Sequence, residues 1–273
     1  MRYRQVSVIG GKGAGPDRFS ASLRSLAVDP TGNIYAANGS QITVFDAAGR
    51  LRRRWSTSQP VYSVAVAPDG AVYTGQSHRI EIFDGAGNYV RTWRSDELLW
   101  RVTAIGFGGG DVLAGDAMGR AIRRFDAAGK FRNNIGTDNP LNGLAVPNGV
   151  VDFGVDPQGV IHVANPGRHR VERYSPEGEL LGHIGRFHGT DPAGFGGCCN
   201  PTNVAVHDRI YVTEKAGPRA KVYSFTGELE AVIAADAFDS NCKNMSIAVD
   251  RRGRVYVADT VRLAILVFEK VAA

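Results

Sequence analysis

No apolar run in this chain approaches the roughly 20 residues that a membrane-spanning helix requires, and residues Met1 to Gly10 lack the apolar core of a secretory leader. No membrane span is expected. The chain is expected in the cytoplasm if Met1 is the natural start, and outside it if a leader has been removed. Apolar spacing of the helical kind is nowhere sustained over 11 or more residues, which argues against a helical framework. Cysteine is scarce: three residues in 273, with no CxxC pair. The six histidines show no HxxxH spacing, and no nucleophile elbow is present. Charge of one sign does not dominate either, since 32 Lys and Arg face 27 Asp and Glu. Arginines such as Arg52, Arg53, Arg54, Arg123, Arg124, Arg170 and Arg173 fall within strand-like or turn segments. There they read as solubilising, edge-protecting charges rather than as a phosphate patch.

What is abundant is glycine, 34 residues spread along the whole chain. It punctuates a recurring phrase: Ser25-Leu26-Ala27-Val28-Asp29-Pro30-Thr31-Gly32, Ser63-Val64-Ala65-Val66-Ala67-Pro68-Asp69-Gly70, Ala104-Ile105-Gly106-Phe107, Phe153-Gly154-Val155-Asp156-Pro157-Gln158-Gly159, Asn203-Val204-Ala205-Val206, and Ser246-Ile247-Ala248-Val249-Asp250. Each copy begins with an apolar strand. A tight turn follows, in which Pro presets φ and Gly takes the left-handed region. Further alternating strands come next, such as Val171-Glu172-Arg173-Tyr174. Four strands in 40 to 50 residues make one propeller blade.

The chain is therefore expected to be all-β: a six-bladed β-propeller of four-stranded antiparallel blades in a single domain, 1–273. The blades are placed at about 23–55, 63–93, 102–136, 151–185, 203–234 and 246–270. The sixth copy lacks a fourth strand and residues 4–10 supply a spare one, so the N-terminal strand is expected to close the last blade.

The repeat resembles the NHL family along essentially the full length. The resemblance is carried by Phe153 to Tyr174, with Asn165-Pro166-Gly167-Arg168-His169-Arg170, and by Ile247 to Phe268, with Val257-Ala258-Asp259-Thr260. The link Ile9-Gly10-Gly11-Lys12-Gly13-Ala14-Gly15-Pro16-Asp17-Arg18-Phe19 adds to it. The third copy departs, with Gly108-Gly109-Gly110 in place of the usual turn. The resemblance implies an interaction platform. Related six-bladed peptide-amidating lyases and lactonases use a metal at the channel mouth, but no ring of histidines here matches theirs.

Two constellations suggest where function lies. Setting Ala205-Val206 on Ala248-Val249 places Cys199 on Cys242, with Cys198 beside it, at the entrances of adjacent blades. A thiolate-bound metal (iron–sulfur cluster, copper or zinc) held by Cys198, Cys199, Cys242 and His188 or His207 is one reading. A Cys199–Cys242 disulfide and simple buried thiols are the others. The second constellation is a polar residue closing each second strand: Asn38, Gln76, Asp116, Asn165, Glu214 and Asp259. These form a binding rim if they face the channel, or satisfy turn amides if they do not. Glu214-Lys215, next to the cysteines, is the pair set apart from the structural role.

The leading expectation is a binding module whose loop face docks a protein partner beside a metal or redox site at the channel mouth. The alternative is a metal-dependent lyase or lactonase-like hydrolase at the same mouth. Nucleic-acid binding requires exposed aromatics among the arginines, for which Trp100 is the open candidate. Trp55 and Trp93 read as packing between blades.

Overall fold

The computed structural model of the chain describes residues 1–233 and 236–271. Ala234, expected at the end of the fifth blade, and Ala272 and Ala273 lie outside them. Among the described residues, twenty-four strands form six four-stranded antiparallel sheets in a ring. The first blade comprises β2 (Leu23–Val28), β3 (Ile34–Asn38), β4 (Gln41–Phe45) and β5 (Leu51–Ser56). The second is β6 (Ser63–Val66), β7 (Val72–Gly75), β8 (Arg79–Phe83) and β9 (Tyr89–Arg94). The third is β10 (Val102–Gly108), β11 (Asp111–Asp116), β12 (Ala121–Phe125) and β13 (Phe131–Ile135). Then come β14 (Phe153–Val155), β15 (Ile161–Asn165), β16 (Arg170–Tyr174) and β17 (Leu180–Ile184), and β18 (Asn203–Val206), β19 (Ile210–Glu214), β20 (Arg219–Tyr223) and β21 (Leu229–Ile233). The sixth blade is β22 (Ile247–Val249), β23 (Val255–Asp259) and β24 (Ala264–Lys270), completed by β1 (Tyr3–Gly10). β1 pairs antiparallel with β24 from Tyr3↔Lys270 to Gly10↔Ala264, so the first strand of the chain closes the ring.

The repeated turns explain themselves locally. Asp29 accepts the amides of Thr31 and Asn33 at 2.8 and 2.9 Å while Gly32 sits at φ 89°. Asp46, Asp84 and Asp126 do the same in the turns between third and fourth strands. Amide donation from Arg50 and Lys130 holds Asp46 and Asp126 below the usual carboxylate range. A β-bulge recurs between third and fourth strands in the first five blades, as between Val44 and Phe45 and between Arg173 and Tyr174. Bulges steepen local twist, which a propeller blade requires.

Neighbouring blades are joined in two layers. In the outer layer a fourth-strand side chain packs on the next blade's turn. A Cβ on Gly87 would stand 2.7 Å from the Trp55 ring, and one on Gly129 2.8 Å from the Trp93 ring, so only glycine fits there. Trp55 and Trp93 are thus inter-blade packing residues.

The inner layer is a circuit of polar staples between neighbouring blades, made at or beside the first strands except at Thr213, which lies on a second strand. Ser246 Oγ accepts the Leu26 amide at 2.9 Å, and Ser25 Oγ accepts the Val64 amide at 3.1 Å. Ser63 donates to the Val102 carbonyl at 3.0 Å, and Thr103 to the Val151 carbonyl at 2.8 Å. Asn203 donates from Nδ2 to Asp152 at 2.5 Å, and Thr213 to the Met245 carbonyl at 2.8 Å. All six seams are stapled. In the third blade, where Gly108-Gly109-Gly110 replaces the usual turn, a register shift between Val102 and Ala104 leaves Thr103 as the stapling residue.

Candidate functional site

The first strands line a central channel. Toward the face carrying the links between blades, it opens a cavity of about 700 Å³. Its wall mixes polar residues with apolar ones, Val64, Ala104, Ile105, Phe107 and Val204 among the latter. Its charged lining residues are three cations, Arg24, Arg101 and Lys243, and one acid, Asp152. Such a chamber suits a ligand with an apolar body and an anionic end.

Tyr62 is the centre of the basic sector. The Arg24 guanidinium lies 4.7 Å from its ring centroid and that of Arg101 lies 5.6 Å away, so the ring is flanked by two cations. Burial works to raise the phenol. Hydrogen bonding with Ser77 and Arg24, together with the charges of Arg24 and Arg101, outweighs it and brings Tyr62 below its ordinary value. Arg101 is anchored from behind, since its amide donates to Asp116 Oδ1 at 3.1 Å.

On the opposing wall, burial pushes Asp152 up to about 7, against the hydrogen bond from Asn203 and the amides of Phe153 and Val204. Asn203 spends Nδ2 on Asp152 and leaves Oδ1 buried without a partner. Asn148 donates to Asn244 Oδ1 at 2.9 Å, joining the entrances of the fourth and sixth blades over the mouth, and its own Oδ1 is likewise unpaired. Two carbonyl acceptors with spare capacity therefore accompany the cations. Such acceptors are costly to bury unless something donates to them.

The six residues closing the second strands are all buried, and none lines the channel. They lie beneath the links. Asn38 accepts the Ala21 amide at 3.1 Å, Asn165 that of Ala145 at 3.2 Å, and Asp259 that of Asp239 at 3.1 Å, as Asp116 does for Arg101. Gln76 instead donates to Glu81 at 2.7 Å. Glu214 and Lys215 part company. Glu214 pairs with Arg219 and, at 3.1 Å, with the wholly buried Lys221, while Lys215 reaches Cys199.

The cysteine sector is brought together only in part. All three thiols are free. Cys198, exposed, and Cys199, half-buried, stand side by side in the link that enters the fifth blade. Burial, and then the neighbouring Cys198 thiol, push Cys199 up, against the Lys215 ammonium. Cys242 is buried in the apolar cluster of Phe238, Met245 and Ile247, and burial followed by its hydrogen bond with Asp259 pushes it up. His188 accepts the Asp191 amide at Nδ1 at 2.8 Å. Among the described residues, no three or more His, Cys, Asp or Glu side chains gather in a group that could hold a metal ion. The donor set expected for a thiolate metal does not fit one. Trp100 is 47% exposed, with its Nε1 donating to the Glu97 carbonyl at 2.9 Å.

Arg24, Tyr62, Lys243, Asn203, Asn244 and Asp152 were not singled out from the sequence. For Asp152 and Asn203 one signal existed: with Ser25, Ser63 and Ser246 they put a polar residue at or near the start of otherwise apolar phrases.

Comparison with solved structures finds lyases of similar fold. A streptogramin B lyase is 11% identical with a TM-score of 0.64, over 96% of this chain and 97% of that one. A catalytically inactive virginiamycin B lyase from Staphylococcus aureus with quinupristin is 13% identical with a TM-score of 0.64, over 95% and 82%. A selenomethionine-substituted virginiamycin B lyase from the same organism is 11% identical with a TM-score of 0.63, over 99% and 100%. At such identities the likeness shows the fold alone. No protein-family model matches the chain, and neither does any curated protein.

Proposed function

We propose that the chain is a small-molecule-binding propeller that takes an organic anion with an apolar body into the link-side mouth of its channel. The observation that carries this reading is the Arg24–Tyr62–Arg101 cluster at a partly apolar chamber of about 700 Å³. A carboxylate would meet Arg24, Arg101 and Lys243, and an N–H or O–H on the same ligand would donate to Asn203 or Asn148. The test is calorimetric titration with a panel of aryl and branched-chain carboxylates against their neutral amides. Carboxylates should bind and amides should not, and Arg101→Met should weaken binding at least tenfold, about 1.4 kcal/mol. Equal binding of acids and amides, or indifference to Arg101→Met, would refute the reading.

A second reading, catalysis at the same mouth, is favoured by the acidity of Tyr62. A phenol poised between two guanidinium groups can take up a substrate proton as phenolate and return it as phenol. That the similar folds include lyases adds fold-level analogy only. Tyr62→Phe should then keep ligand affinity within threefold while abolishing turnover.

The NHL-type protein-docking module rests on the repeat pattern and on the long links that form this face. A thiolate metal or redox centre rests only on three cysteines entering adjacent blades, and it ranks below the channel readings.

A further inference from the structure

The link Arg186 to Pro201 carries a feature that the channel reading does not use. It is an ordered segment. A bridge pairs Phe187 with Phe195, and the buried Lys221 ammonium donates to the Gly194 carbonyl at 2.6 Å. Tyr223 donates to the Ala193 carbonyl at 3.0 Å. At its end, the fully buried Asn200 fixes the preceding turn from both sides. Its Nδ2 donates to the Gly196 carbonyl at 2.9 Å, and its Oδ1 accepts the Lys215 amide at 2.9 Å. Between these anchors stand Cys198 and Cys199.

Adjacent side chains in an extended chain point to opposite sides. Here Cys199 takes a left-handed φ of 70°, uncommon for a residue with a side chain, so the chain turns between the two adjacent thiols instead of running extended. The charge of the Lys215 ammonium favours the Cys199 thiolate, against burial and the Cys198 thiol. Cys198 is exposed to attack from solvent. Cys242, the third thiol, is buried in the core of a different seam and is 1% exposed.

We propose that Cys198 and Cys199 form a reversible redox modification site, a dithiol that closes to a vicinal disulfide on reaction with a small-molecule disulfide such as glutathione disulfide. The Cys198 thiolate attacks one sulfur of the oxidant. The sulfur–sulfur bond breaks, and one glutathione thiolate leaves with the electron pair. Cys199 then gives up its proton, attacks Cys198 Sγ and expels the second glutathione thiolate. Two protein thiols are oxidised, one disulfide is reduced to two thiols, and the two protons pass to the departing glutathione. The link's anchors make ring closure intramolecular at short range, which favours it over a lasting mixed adduct.

The experiment is treatment of the folded, full-length chain with excess glutathione disulfide, followed by thiol counting and peptide mass mapping without reduction. The expected product has lost two of its three thiols and two hydrogen masses, both within the peptide containing Cys198 and Cys199. It regains them on addition of a dithiol reductant. Cys242→Ser should react in the same way, and Cys199→Ser should stop at a glutathione adduct on Cys198. A Cys199–Cys242 bond, a disulfide between chains, a glutathione adduct persisting on the unsubstituted chain, or three unreactive thiols would each overturn the proposal.

Discussion

The fourth and fifth blades solve the same problem with opposite charges. At equivalent places the fourth blade sets Asn165 against Glu172, and the fifth sets Glu214 against Lys221. Glu172 is saturated: it accepts from Asn165 at 2.8 Å, Arg170 Nε at 2.9 Å and Tyr174 at 2.6 Å. Burial alone would raise it, but these three donors hold it below the usual carboxylate range. Glu214 has its cations in Lys221 and Arg219, yet its Oε1 is buried without a partner. Burial in turn lowers Lys221, against the charge of Glu214. The link amides follow suit. In the fourth blade Asn165 accepts from the link, whereas in the fifth the link's Asn200 accepts from the turn. The repeat therefore conserves the shape of a buried polar cluster, and each blade is free to choose which strand carries the charge.

This contrast can be broken most severely at Lys221. Lys221→Met should leave Glu214 with Arg219 as its one remaining cation and strip its buried side of a partner, and cost about 3 kcal/mol in urea unfolding. The pair Glu214→Gln with Lys221→Met should recover most of that loss, since removing both charges removes the penalty.

The next effect is at the seam joining the two blades. Burial raises Asp152 to about 7 in the fold, from 3.8 for the free side chain. Its stabilising contribution is therefore complete below about pH 4 and is lost as pH rises through 7. Asp152→Asn should leave stability unchanged at pH 4 and raise it at pH 8 by about 4 kcal/mol. Parallel melting curves at both values would read this, and a gain equal at both pH values would contradict the assignment.

Glu172→Gln should cost about 1–2 kcal/mol at neutral pH by weakening three donor contacts. The sign here is opposite. A lowered carboxyl stabilises above its unfolded value and loses that as pH falls through its folded value, so the gap between wild type and variant should close in acid. The smallest effect belongs to Thr213→Val, which removes one staple to the sixth blade and should cost about 1 kcal/mol by chemical denaturation.

Much of this architecture is legible in the chain because turns announce themselves. Asp29-Pro30-Thr31-Gly32 and its kin prescribe φ values and supply a carboxylate for the turn amides, so strand positions follow. The unmatched strand at Arg4 to Gly10 gives away the closure of the ring. Orientation is harder. A polar residue at the end of every second strand reads as a channel rim or as a partner for the following turn's amides, and Asn38, Asn165 and Asp259 take amides from the preceding links as well. The basic mouth was hidden for another reason: Arg24, Tyr62, Arg101 and Lys243 converge from four different blades. Nothing in their local sequence records that they share a chamber.

The staple circuit bears on cooperativity. In an open stack of repeats, the terminal units have one neighbour and fray, so stability adds up along a line. A ring stapled at all six seams has no terminal unit, and every blade must give up two interfaces to leave. Loss of one blade should therefore propagate around the circle. The first strands should exchange their amide hydrogens only through global opening, at nearly one rate in all six blades.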